Sequence, residues 1–155
     1  MPGRPPLTHR LTAVAAAALF LAGCAAGPVA VDAPTPAGPA ADACAALTTH
    51  LPGTVDGRDR RETEPPDGPV AAWGDPPVVL RCGVPRPASL TATSEVVVVD
   101  DVEWFLQPGS AYVFTTVGRT ANVEVRVPAS VQRAAATAPL VDLAPAVRGQ
   151  VPAAG

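Results

Sequence analysis

The second half of the chain alternates between apolar and polar side chains with a period of two residues. Its clearest example is Ala121 to Val127, in which valines alternate with Glu124 and Arg126. One buried and one solvated face is typical of an antiparallel sheet. The same pattern predicts a strand at Ala111 to Val117. It predicts two more strands in the run of valines from Glu95 to Asp100 and in the segment from Val102 to Gln107.

Turn residues separate these strands. Pro108-Gly109 and Gly118-Arg119 indicate turns. Asp100-Asp101 indicates a tight hairpin turn or a bulge, although a two-residue hairpin turn favours glycine as its second residue. The mixed-charge run from Thr54 to Pro69 predicts an exposed loop rather than further strands.

The stretch from Trp73 to Gly83 is the densest in unusual residues. Gly74-Asp75-Pro76 predicts a turn, and Val78-Val79-Leu80 has the pattern of a short buried strand ending at Cys82. Arg81 would point to the face opposite Cys82. Asp75 and Arg81 lack a structural role in this interpretation, so they are candidate interaction residues. The alternative is that they pair with each other or with the arginines of the preceding loop.

Short helices are predicted on both sides of these strands. Asp42 suits the N-cap of a helix from Ala43 to about His50. A second helix is predicted over Val131 to Ala138, and a third begins at Pro139 and is kinked by Pro145. The predicted fold class is therefore α+β. We expect a two-layer domain with a mostly antiparallel sheet of four to five strands, covered by the N- and C-terminal helices.

The N-terminus has the features of a leader. A short basic region that contains Arg4 and Arg10 precedes an apolar run, and Leu21-Ala-Gly-Cys24 follows. This resembles a bacterial lipoprotein signal, which implies cleavage before Cys24 and lipid modification of its thiol. The alternatives are an ordinary secretory peptide or a membrane helix, but the run is shorter than the ~20 residues that a membrane-spanning helix needs.

This interpretation divides the chain into three parts. Residues 1–23 are the signal peptide, and residues 24–41 comprise the lipidated cysteine and an Ala/Pro-rich tether. Such a composition does not bury enough apolar surface to offset its ordering entropy, so the tether is expected to hold the domain clear of the membrane. Residues 42–150 form a single domain.

Cys44 and Cys82 remain once Cys24 carries the lipid. An even pair of cysteines in an oxidising compartment favours a disulfide, which would stabilise the fold by about 4 kcal/mol. The competing interpretation is a reactive or metal-binding thiol. It lacks support because the nearest histidine, His50, does not complete a zinc-ligand spacing.

Charge and composition limit the classes of partner that the protein could bind. The formal charge is −3, and it becomes −5 when Arg4 and Arg10 leave with the leader, since nine arginines then face fourteen carboxylates. An acidic surface argues against nucleic acid as a partner. The chain has no lysine and 20 prolines, a bias typical of a GC-rich genome.

The sequence offers little catalytic chemistry. Only His50 remains as a histidine after processing, and no Gly-x-Ser-x-Gly segment or phosphate loop is present. Asp100, Asp101 and Glu103 could supply oxygens to calcium, but nothing in the sequence completes the six to eight ligands that calcium takes. We therefore expect no enzyme, no cofactor and no metal site.

Trp104 and Phe105 are candidate interaction residues. As neighbours on one strand they must face opposite sides of the sheet. Either both sides are covered there, or one aromatic ring is exposed and anchors a partner.

Several segments together are similar to an actinobacterial family of secreted or lipid-anchored proteins of unknown function. They are Trp73-Gly-Asp-Pro, Leu80-Arg-Cys-Gly83, Val102-Glu-Trp104 and Val123-Glu-Val-Arg-Val-Pro128. The resemblance implies a paired Cys44 and Cys82 and the outer leaflet of the cell membrane, and it implies no activity.

The functional expectation is a non-catalytic cell-envelope lipoprotein that acts as an accessory or interaction module. Its expected partners are the membrane, through the N-terminal lipid, and another envelope protein. The alternative is a carrier that binds a small ligand in a pocket between sheet and helices near Trp104 or Phe105.

Overall fold

The computed structural model describes Met1, Gly3 and residues 27–155. The predicted signal peptide, apart from Met1 and Gly3, lies outside the described residues, and so does Cys24. Over the described part, the helices are α1 (Pro39–His50) and α2 (Ala138–Gln150), with a single 3₁₀ turn at Arg133–Ala135. The strands in chain order are β1 (Val29–Ala30), β2 (Thr54–Val55), β3 (Arg58–Arg61), β4 (Thr63–Glu64), β5 (Val70–Trp73), β6 (Val78–Cys82), β7 (Val97–Val99), β8 (Val102–Leu106), β9 (Tyr112–Thr116) and β10 (Val123–Val127).

Eight of these strands form one antiparallel sheet in the order β2-β3-β5-β6-β10-β9-β8-β7. A separate parallel pair joins β1 to β4. The prediction of an α+β domain with four to five strands is therefore wrong. The part of the chain that the structure describes is mostly β, with eight strands in its main sheet and only two α-helices.

Three of the extra strands, β2, β3 and β4, come from the charged run of Thr54 to Pro69, for which the sequence predicts a loop. Asp56 and Gly57 both have positive φ, 48° and 70°, and they form the turn between β2 and β3. Asp-Gly is a favoured pair for such a two-residue hairpin turn. Charged side chains are compatible with these strands because β3 leaves its polar side chains half-buried or exposed.

The hydrophobic core lies between one face of the sheet and the two helices. At its centre Val125 pairs with Leu80 on β6 and with Phe114 on β9, and all three are at most 1% exposed. Leu47 from α1 and Leu140 from α2 cover this layer and are fully buried. The strand alternation predicted for the second half produces this face.

The opposite face of the sheet is more polar and is partly covered by residues 27–38, which we call the strap. Val29 donates its N–H to the carbonyl of Glu62, and Val31 donates to that of Glu64, both at 2.9 Å. The structure thus differs from the predicted free tether, since the chain packs on the domain from Gly27 onward.

The helices also differ in their bounds from the prediction. Helix α1 begins at Pro39, four residues before the expected start at Ala43. The helix expected over 131–138 is only a 3₁₀ turn, and α2 continues through Pro145 as one helix.

The hairpin turn at Asp100-Asp101 is confirmed. Both residues have positive φ, 47° and 62°, and they join β7 to β8. Aspartate enters this region of backbone space more readily than most non-glycine residues, so glycine is not required there.

Candidate interaction surface

Strand β7 forms one edge of the eight-stranded sheet, and its side chains are unusually apolar for their exposure. Val96, Val97 and Val98 are 37%, 39% and 61% exposed. Consecutive exposed valines on a free strand edge are uncommon in soluble proteins, which usually protect such edges from pairing with other chains.

The hydrogen-bond pattern leaves the backbone of Val98 facing outward. Val98 pairs with Glu103 on β8, and the carbonyl of Glu103 accepts a hydrogen bond from the N–H of Val117 on the other side, at 2.9 Å. In an antiparallel ladder such bonds alternate between the two sides of a strand. The N–H and C=O of Val98, and by the same alternation those of Val96, therefore point away from β8.

A groove continues from this edge onto the face that the helices do not cover. It encloses about 440 Å³, and its apolar wall includes Val96, Phe105, Leu106 and Pro108. Ser94 and Glu95 border its other side. The edge and the groove together form a continuous apolar surface, which we call the β7 surface.

Carboxylates surround the β7 surface. Glu95 precedes the valines, Asp100 and Asp101 follow them, and Glu103 lies across from Val98; all four are exposed. Arg148 on α2 bonds Asp100 at 2.8 Å and approaches Asp101 at 3.4 Å. This contact fixes the turn to the end of α2 and leaves the surroundings of the valines acidic.

Trp104 and Phe105 face opposite sides of the sheet, as their adjacent positions predicted. Trp104 is fully buried beneath the helices, and Phe105 is 6% exposed on the other face. Both sides are thus covered, and Phe105 contributes to the groove with only a small part of its ring. The interface between sheet and helices is filled at Trp104 by fully buried side chains such as Phe114 and Leu143.

Arg81 has specific partners that the sequence did not reveal. It lies on the face opposite Cys82, as predicted, and its Nη2 contacts Asp32 Oδ2 in the strap at 3.0 Å. Its Nη1 bonds Glu124 Oε1 at 3.2 Å, and Arg126 Nε bonds the same oxygen at 2.7 Å. Arg81 therefore holds the strap to the sheet instead of pairing with Asp75. Asp75 is exposed in the turn after Trp73, in which Gly74 has a positive φ of 75° and the Asp75-Pro76 peptide bond is cis.

Trp73 on β5 contacts the neighbouring strand β3 and the segment that precedes β2. Its ring is fully buried, its Nε1 donates to the carbonyl of Pro52 at 3.0 Å, and the guanidinium of Arg60 lies 5.4 Å from the ring centre. Partial burial lowers the pKa of Arg60 from its ordinary value, but an arginine remains charged at neutral pH. The resulting cation–π contact contributes about 0.5–1 kcal/mol at such a site.

The predicted disulfide is present. Cys44 on α1 and Cys82 on β6 are bonded, with their Cα atoms 5.5 Å apart. The bond joins the first helix to a central strand and leaves neither thiol available for metal binding or catalysis.

Two features are absent from the described residues. No group of three or more His, Cys, Asp or Glu side chains there is arranged to hold a metal ion. None of the helices in that part of the chain combines the length and apolar character needed to cross a bilayer.

The four-valine run was the sequence signal for this surface, since it predicted a strand. Its position at the edge depends on the strand order, which the sequence pattern does not contain.

Comparison with known proteins gives one match. No curated protein matches the chain, and no solved structure matches it either. The family model described as "Protein of unknown function (DUF3515)" matches residues 7–155. The chain therefore belongs to this family of proteins of unknown function.

Proposed function

We propose that this protein is a lipid-anchored, non-catalytic interaction module of the cell envelope, which binds an extended segment of another protein along β7. Cys24 carries the lipid, on the extracytoplasmic face of the membrane of an actinobacterium. The partner segment adds a ninth strand to the sheet. The sequence around Cys24 and the similarity of the Trp73–Gly83 segment to actinobacterial envelope proteins support the compartment.

The observation that carries this proposal is the open β7 edge. The outward N–H and C=O groups of Val96 and Val98 offer hydrogen bonds to an added strand, and the exposed valines offer it apolar contacts. Strand addition gains affinity from main-chain bonds and specificity from alternate side chains. The groove beside Phe105 accepts a side chain of the added segment.

The surrounding charge indicates which segment binds. Two copies of β7 paired antiparallel about Val98 would place Glu95 of one copy opposite Asp101 of the other. Like charges directly across a strand pair destabilise it. A segment with a β-branched centre and basic ends avoids this repulsion and neutralises the carboxylates. The partner is therefore a different protein with such a segment.

A peptide tests this directly. The probe is a synthetic peptide of alternating valine and threonine with two arginines at each end, and its binding to the full chain is followed by fluorescence anisotropy. We expect binding to be lost in Val98→Arg and retained in Val141→Arg. The two variants add the same charge at valines of similar exposure, 61% and 59%, on β7 and on α2.

Amide hydrogen exchange locates the bound peptide. Protection confined to Val96 and Val98 on β7 would support strand addition. Equal loss of binding in both arginine variants, or protection elsewhere in the sheet, would overturn it. Replacing the peptide's arginines with glutamates should abolish binding if the carboxylate ring selects the partner.

The anchor has its own test. Mass spectrometry of the native protein should find diacylglycerol on Cys24, with the protein in the detergent phase. An unmodified Cys24 in an aqueous fraction would refute the anchor without affecting the strand-addition proposal.

The groove also supports a second candidate, a carrier of a small apolar ligand. Its volume of about 440 Å³ lies within the usual range for small-molecule sites, and Phe105 supplies an aromatic wall. This site lies on the sheet face away from the helices, unlike the pocket expected from the sequence. The test is an apolar fluorescent probe added to the protein. Binding of the probe, with its emission quenched in the Phe105→Trp variant and its binding unchanged in the Val98→Arg variant, would favour the carrier.

A further inference from the structure

The strap is joined to the domain along its whole length. Besides the two hydrogen bonds of Val29 and Val31, the carbonyl of Asp32 accepts from Arg81 Nε at 2.8 Å. Pro36 packs against Gly83, where an added Cβ would lie 2.6 Å from the proline ring. At the start of the strap, the carbonyl of Gly27 accepts a hydrogen bond from Arg61.

These contacts begin only a few residues after Cys24 in the sequence. Ala25 and Ala26 are the residues between Cys24 and Gly27. Three residue steps reach about 11 Å even when fully extended. A lipid on Cys24 therefore keeps Gly27, and with it Arg61 on β3, within about 11 Å of the lipid headgroups.

The β7 surface lies at the other end of the sheet. Six strand spacings separate β3 from β7 in the strand order. At about 4.8 Å per spacing, this distance is about 29 Å along the sheet. The anchored end and the β7 surface are thus nearly as far apart as the sheet allows.

Charge favours an orientation with the β7 end away from the membrane. At the anchored end, Arg60 and Arg61 accompany Glu62 and Glu64 and roughly balance them. At the β7 end four exposed carboxylates face two arginines: Arg148, and Arg119, which donates to the carbonyl of Asp101 at 2.9 Å. An anionic headgroup layer repels the β7 end and leaves the anchored end unaffected.

We infer that the protein stands on the membrane with the β3–β4 end of the domain against the headgroups and the β7 surface directed outward. The inference rests on the lipid anchor of the proposed function. The surface in contact with the bilayer is formed by the start of the strap and by Arg61, Glu62 and Glu64, beside an open groove of about 560 Å³. The β7 surface then reaches partners beyond the headgroup layer.

Energy transfer to the membrane tests this orientation. The full lipidated chain is reconstituted in vesicles of phosphatidylcholine and phosphatidylglycerol that carry a headgroup acceptor dye. A fluorescent amino acid replaces Glu62 in one variant and Val98 in another; both side chains are exposed. We expect severalfold more transfer from position 62 than from position 98.

A variant with a longer linker between Cys24 and the strap is the matched control. About twenty Gly/Ser residues inserted between Ala26 and Gly27 add a root-mean-square span of about 25 Å without changing the domain. Transfer from position 62 should fall towards that from position 98. Equal transfer from the two positions before the insertion, with the lipid on Cys24 confirmed by mass spectrometry, would overturn the orientation and leave the anchor intact. Absence of the lipid would overturn both the orientation and the anchor.

Discussion

The two edge strands of the sheet, β2 and β7, end it in different ways. Strand β2 has two residues, its Val55 is fully buried, and the adjacent N–H of Asp56 is bonded to Asp142 of α2 at 2.7 Å. Strand β7 exposes Val97 and Val98, and Arg148 joins its turn to α2.

This difference indicates which edge of the sheet can pair with another chain. Proteins protect strand edges by shortening them, covering them or adding charge. The β2 edge is short and covered. Among the described residues, the β7 edge has only flanking carboxylates as protection, and these oppose the pairing of two copies about Val98. Over that part of the chain, the sheet is thus closed at one end and open at the other.

The largest expected effect comes from removing the disulfide that supports the closed half. Cys44→Ser with Cys82→Ser should lower the free energy of unfolding by about 4 kcal/mol, because it releases a crosslink across 38 residues. Denaturant unfolding measures this loss. Ala45→Ser, an exposed change on the same helix, is the control and should have little effect. A loss below 1 kcal/mol in the double variant would contradict the prediction.

The second largest expected difference comes from making the same substitution, valine to threonine, at each of the two edges. Val55→Thr buries a hydroxyl in the core and should cost about 1–3 kcal/mol. Val98→Thr should change the free energy of unfolding by less than about 0.5 kcal/mol, since its side chain is largely solvated. Thermal and denaturant unfolding compare the two, and equal losses would mean that the β7 edge is as closed as β2.

The two tryptophans provide a finer comparison, because both are fully buried, one in each half. Trp73 Nε1 donates to Pro52, whereas Trp104 Nε1 finds no acceptor among the described residues. Trp73→Phe should therefore cost about 1 kcal/mol more than Trp104→Phe, the usual net value of one hydrogen bond. Unfolding monitored by circular dichroism avoids the change in fluorescence. A greater loss at Trp104 would show that its N–H has a partner in solution.

The smallest expected effects concern the contacts of the two edges with α2. Asp142→Ala removes the acceptor for the Asp56 N–H and should cost about 1 kcal/mol. Arg148→Ala breaks exposed ion pairs and should cost at most about 0.5 kcal/mol. Hydrogen exchange should show faster opening of β2 in the first variant and of the Asp100-Asp101 turn in the second. The reverse order of stability losses would contradict the comparison.

Much of the open half could be predicted from the sequence because its signals are local. Strict alternation identified β9 and β10 to within two residues at each end. The opposite orientation of Trp104 and Phe105 follows from the same period. The disulfide followed from the number of cysteines.

The closed half was harder because its strands depend on distant partners. The composition of Thr54 to Pro69 favours a loop, although the Asp56-Gly57 pair within it is itself a local hairpin signal. The strap depends on Arg81 and Asp32, which are 49 residues apart in sequence. A proline-rich composition indicates that a segment does not fold by itself. It does not indicate whether the segment packs against a nearby face of a sheet, as the strap does.

The covalent bond between α1 and β6 also determines how the protein responds to mechanical force. Tension applied at the N-terminus first peels β1 from β4 and then separates the strap from Arg81 and Gly83, one contact after another. Once unravelled, the chain from Gly27 to Cys44 spans up to about 60 Å, at about 3.4 Å per residue. The load then passes through Cys82 directly into the middle of the sheet. Up to that extension the disulfide keeps the load off the strand pairing of the eight-stranded sheet.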